Sequence, residues 1–190
     1  MKDPVSARSK TVRIAIDALL IAVYVILGTF CSFKVVGTVQ VSFSTLPILL
    51  CAFLLRPSDA IAVAVIGNLL EQIIDPSPYG YTTLILWLIP GAVQALVASL
   101  GAQRVRKIDS PKKALAMTIA VIICAEILLT LINTPLLYLD GYILHYPVKA
   151  LNLLLPLRTL NMGVRCAISC ILIPVLLPPL QRVIAKHRLN

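Results

Sequence analysis

Charge is scarce in this chain of 190 residues: only 13% are Asp, Glu, Lys or Arg, against 59% hydrophobic. A soluble domain of comparable size still leaves about 30% of its unfolded-chain surface in water, and this chain has too few polar side chains to cover such a surface. A soluble globular fold is therefore excluded. Histidine is nearly absent, with only His145 and His187. No apolar run combines Ser with His, Cys with His, or two carboxylates, so nucleophilic and acid–base catalysis have no carrier. No GxxxxGK[ST] segment exists to cradle the phosphates of ATP. The five cysteines (Cys31, Cys51, Cys124, Cys166, Cys170) form no CxxC and no metal-ligand spacing, so they read as small packing residues. The net charge of +9 raises nucleic acid as a partner, but the basic residues stand between apolar runs with no interleaved aromatics. Catalysis, a bound metal, a cofactor and nucleic acid are all unexpected here.

What the chain does have is apolar length. Its mean hydropathy is +0.94, and the pattern implies an all-α integral membrane protein of a single domain with six transmembrane helices. These are expected over residues 11–30, 45–55, 59–74, 82–101, 114–138 and 155–180. The first follows a basic segment and is longer than a signal-peptide core, without a small-residue cleavage site, so it reads as a retained helix. Arg13 and Asp17 lie one turn apart on it and can pair. The second and third helices are short for a hydrocarbon core of roughly 30 Å. Between them Arg56-Pro57-Ser58-Asp59 makes a tight corner, with Ser58 or Asp59 as N-cap. Residues 31–44 alternate polar and apolar around Gly37, which suits an extended loop or hairpin better than a span. Residues 139–154 mix aromatics with Asp140, His145 and Lys149, as an interfacial loop would.

Orientation follows from the basic residues. Lys2, Arg8, Lys10, Arg13, Arg56, Arg104, Arg106, Lys107, Lys112, Lys113, Arg182, Lys186 and Arg188 fall on one side, while Lys34 and Lys149 fall on the other. The positive-inside rule places the first side, with both ends of the chain, in the cytoplasm. Loops 31–44, 75–81 and 139–154 then face outward.

Two arginines, Arg158 and Arg165, remain within the last span. A guanidinium at a helix centre costs roughly 2.5–3.5 kcal/mol on insertion scales, so each needs a partner. Counting from the helix ends puts Arg158, Glu71, Asn68, Trp87 and Asn133 within about 10 Å of the outer boundary, at 1.5 Å per residue. Tyr79, Tyr81, Tyr142 and Lys34 stand in the outer loops or beside them. This layer reads as a binding pocket open to the outside, or alternatively as Glu71 and Arg158 neutralising each other within the fold. Deeper down, Glu126 and Arg165 lie at a common depth and read as a buried pair with a structural or conformational role. On the first helix Ala18 and Ala22 make a small-xxx-small pair, suited either to internal packing or to a partner helix.

Six short helices, cytoplasmic ends, Ala18-x-x-x-Ala22 and the outer polar layer together resemble the substrate-binding S components of energy-coupling factor (ECF) vitamin transporters. The resemblance spans nearly the whole chain. The stretch from Val41 to Leu55 is similar to that family's second helix, with Arg56-Pro57 where many members have Gly-Pro. It implies a multi-pass subunit of a prokaryotic plasma membrane that binds a water-soluble vitamin. It also implies that the alanines dock on a membrane coupling protein driven by two ATPase subunits. Arg158 would suit the carboxylate of pantothenate or folate, and the aromatics a pterin or a larger cobalamin. The competing class, a self-sufficient secondary transporter or channel, normally shows internal repeats, and none is found here.

Overall fold

The computed structural model describes residues 4–36, 39–75, 84–143, 145 and 148–188. Its elements are α1 (Pro4–Thr29), β1 (Phe33–Val36), β2 (Val39–Val41), α2 (Thr45–Leu54), α3 (Pro57–Ile74), α4 (Leu84–Val105), α5 (Pro111–Ile143) and α6 (Val148–Arg188). Among the described residues, five of the six helices are long and apolar enough to cross a membrane. The protein is an all-α membrane protein with one small antiparallel hairpin in its first outer loop.

The exception, α2, has ten residues, about 15 Å of helix and half the hydrocarbon core. It is apolar all round, and a helix of that kind belongs inside a protein. Every residue from Thr45 to Phe53 is buried, and α2 packs against α1, α3, α4 and α6. Around it α1 packs on α3, α3 on α4, α4 on α5 and α5 on α6. The core joins Ile48, Leu49 and Phe53 of α2 to Val63, Ala95, Ala98, Ile122 and Ile173 of the surrounding helices. The cytoplasmic end of α2 is closed from outside its own sequence. Arg106, in the turn after α4, donates to the carbonyls of Phe53 at 2.8 Å and Leu55 at 2.9 Å. Those carbonyls belong to the last turn, where a helix leaves acceptors unpaired.

Residues 31–44 form the hairpin that their alternation implies. Phe33 faces Val41 and Lys34 faces Gln40, with an irregularity between Lys34 and Val36. The expected interfacial loop at 139–154 is instead mostly helix. α5 continues through Pro135 to Ile143 and α6 starts at Val148, with His145 at φ 58 in the turn between them. A helix can continue past a proline at the loss of one hydrogen bond and a bend. Asp140 gives the segment its polar look, yet it is buried in the fold.

Two local expectations are corrected. The corner at 56–59 starts α3 at Pro57 and not at Ser58 or Asp59. Proline sets the helical φ at the first position, and the Asp59 carboxylate accepts from the Arg56 N–H at 3.4 Å. Arg13 does not choose Asp17: its Nε lies 3.4 Å from Asp59 of α3. Asp17 instead accepts from the Cys51 thiol of α2 at 3.9 Å.

Candidate functional site

The outer polar layer is assembled on α3, α4, α5 and α6. Arg158 is half-buried, ten residues into α6 from Val148, with its guanidinium carbon 5.9 Å from the centroid of the Trp87 ring. That separation is a cation–π contact, worth about 0.5–1 kcal/mol at an exposed site and ~2 or more once desolvated. The same guanidinium donates to the Asn133 backbone carbonyl at 3.4 Å, so Asn133 enters the site through its main chain. Pro135 and the threonines that bond back along α5 shape this end. Thr130 donates to the carbonyl of Glu126 at 3.0 Å, and Thr134 to that of Thr130 at 2.9 Å.

From the other side Asn68 donates to the Trp87 carbonyl at 3.3 Å, and Gln72 donates to the Asn68 side chain. Pro90 offers no N–H to the carbonyl one turn earlier on α4, which loosens the helix where the indole is presented. Arg158, Trp87, Asn133 and Asn68 therefore meet as expected from their common depth. Glu71 does not join them. Its carboxyl lies over Gly28 of α1, where an added β-carbon would collide with it, and the Tyr24 hydroxyl is within its reach. Glu71 and Arg158 are not each other's ion-pair partners.

The remaining candidates divide. Tyr142 is 81% exposed, near the outer end of α5. Lys34 lies on β1, in the hairpin. Tyr79 and Tyr81 lie outside the described residues. Ala18 and Ala22 are exposed, together with Ile14, Ala15, Leu19 and Ile26, so one whole face of α1 is left open by its own fold.

Below the layer, Arg165 and Glu126 form their pair at 3.6 Å, and Glu126 also accepts from Gln94 of α4 at 3.0 Å. The Thr45 hydroxyl of α2 lies beside the same carboxylate. Glu126 and Gln94 are completely buried, so the cluster ties four helices together deep in the bundle. An apolar groove of about 710 Å³, lined by Pro156, Thr159, Leu160, Gly163, Val164 and Ala167, runs along α6. At 3.6 residues per turn these positions lie on the opposite side of the helix from Arg158 and Arg165, so the groove is not part of the polar site.

The sequence did not single out Gln94 or Tyr24. The signal for Gln94 was present, as an amide in the middle of an apolar span. Tyr24 looked like an ordinary apolar-run aromatic, yet it is only 4% exposed, and its hydroxyl sits within reach of Glu71, Ser44 and Asn68.

Compared with known protein families, residues 8–178 match the family described as ECF-type riboflavin transporter, S component. No curated protein matches the chain.

Proposed function

From the premise that the chain belongs to the family of ECF-type riboflavin transporter S components, we propose that it binds riboflavin from the outside at the layer of Trp87, Arg158, Asn68 and Asn133. S components are vitamin-specific membrane subunits of ECF transporters, and they work with membrane and ATPase components. Trp87 carries this reading, because its ring is backed by Arg158 at 5.9 Å and offers a stacking surface at the outer level. A flavin presents a flat fused ring that stacks on indole and a hydroxylated chain that can bond to amides such as Asn68 and Gln72.

A second reading, folate, has its own observation. Among the described contacts the Arg158 guanidinium makes one hydrogen bond, a long one at 3.4 Å, which leaves its planar fork open for a carboxylate. Pantothenate brings a carboxylate but no ring for Trp87, and so has less support. Delivery into the cell then falls to partners. The open α1 face with Ala18 and Ala22 is the surface we assign to the membrane coupling protein, with two ATPase subunits supplying the energy.

The test is mass spectrometry of small molecules released from the purified, detergent-solubilised protein. Riboflavin recovered near one per chain is the expected outcome. Folate in its place moves the assignment to the second reading, and recovery of no vitamin, with none binding on titration, overturns the proposal.

A further inference from the structure

Helices α1 and α3 are interlocked by two reciprocal contacts. The Tyr24 side chain of α1 lies against Gly67 of α3, where an added β-carbon would stand 2.7 Å from the ring. One turn further out the direction reverses, and the Glu71 carboxyl of α3 lies on Gly28 of α1. Each glycine is the seat of the other helix's side chain. At Gly67 an added β-carbon meets the ring and β-carbon of Tyr24, so the helices themselves must give, whereas at Gly28 it meets the carboxyl end of Glu71, which can swing aside.

What the interlock touches gives it a role. The Tyr24 hydroxyl reaches Asn68, whose amide donates to the Trp87 carbonyl at 3.3 Å. It also reaches Ser44, the residue joining the outer hairpin to α2, and Ser44 accepts from the Ser42 hydroxyl at 2.9 Å. The opposite side of α1 is the open face that carries Ala18 and Ala22. One buried hydroxyl thus stands between the aromatic platform, the base of the hairpin above it and the helix left free to meet a partner.

We infer that Tyr24 is a positioning residue for transport, coupling occupancy of the outer site to the partner-facing side of α1; this rests on the functional reading above. A ligand on Trp87 that shifts the Asn68 amide or the hairpin base changes what the Tyr24 hydroxyl can bond to. The ring has no free space over Gly67 in which to absorb the change, so α1 must follow. A ligand shifts such an equilibrium only by its differential affinity for the two arrangements, and the effect is reciprocal. The partner must alter vitamin affinity by the same factor as the vitamin alters partner affinity.

That factor is measurable as the ratio of riboflavin dissociation constants in the isolated chain and in the full transporter. For the unmodified chain a ratio of about fivefold or more, in either direction, is expected. Tyr24→Phe keeps the ring on Gly67 and removes only the hydroxyl. It should leave affinity in the isolated chain within about threefold while bringing the ratio below about twofold. Ser44→Ala is scored by the same criteria, and takes its place if Tyr24→Phe does not purify as a folded protein. A variant ratio equal to that of the unmodified chain, or an unmodified ratio of one, overturns the inference and leaves the binding assignment standing. If neither riboflavin nor folate binds the isolated chain, both fall; if only folate binds, the same ratios are measured with folate.

Discussion

Arg158 and Arg165 sit seven residues apart on one helix and have different company. Arg165 is matched by a carboxylate, whereas Arg158 is backed by an indole and a backbone carbonyl. Removing one member of a buried ion pair strands the other in a low-dielectric interior, at a cost of about 3–5 kcal/mol. Arg165→Met should therefore lower the melting temperature in detergent sharply, and adding Glu126→Gln should recover much of the loss. Arg158→Lys should have little effect on melting, because among the described residues no carboxylate is paired with it. Its effect on binding separates the two vitamins. Lysine cannot reproduce a bidentate fork, so folate binding should weaken about tenfold or more, roughly 1.4 kcal/mol, while riboflavin loses only the backing of Trp87. Isothermal titration of Arg158→Lys and of the unmodified chain with each vitamin checks this.

Depth along a helix was legible from the sequence at this scale, and direction around it was not. Counting residues placed Asn68, Glu71, Trp87, Asn133 and Arg158 at one level, and four of the five meet there. Asn68 and Gln72 are four apart and share a face, but Glu71 is rotated by about 100° from Gln72. That rotation turns its carboxyl to Gly28 and away from Arg158. Only the neighbouring helices decide which way each face looks, and a single sequence does not contain their arrangement.

Among the elements, the spans were visible because a bilayer demands long apolar runs, and the hairpin because alternation is a strand signal. The continuation of α5 to Ile143 was hidden by Asp140, a polar residue whose burial depends on tertiary context. The central place of α2 was half visible: its brevity showed, but not the four helices packed round it. The interlock of α1 and α3 supplies a further expectation. Gly67→Ala places a methyl against the Tyr24 ring, and overpacking of this kind costs about 1–3 kcal/mol. A fall in detergent melting temperature, eased by the smaller ring-free variant Tyr24→Leu, is the expected result. On the other side of α1, Ala18→Leu or Ala22→Leu should leave vitamin affinity intact and block co-purification with the coupling protein, since larger side chains hold helix backbones apart. Normal assembly of both variants would return that face to lipid.

For the whole molecule, reconstitution into liposomes provides the corresponding test. The chain carries no phosphate-binding loop, so alone it should retain vitamin without ATP-driven accumulation, and concentrative uptake should appear only with its partners. Orientation in those vesicles connects to the cap on α2. Arg106 is one of the basic residues that hold the loop after α4 in the cytoplasm, and the same guanidinium terminates the central helix by taking the carbonyls of Phe53 and Leu55. The topological signal and the folding signal are thus written in one side chain. A copy whose loop after α4 is held on the opposite side of the membrane from the end of α2 loses this cap, so a local mistake of insertion leaves the last carbonyls of the central helix unpaired and becomes a mistake of folding.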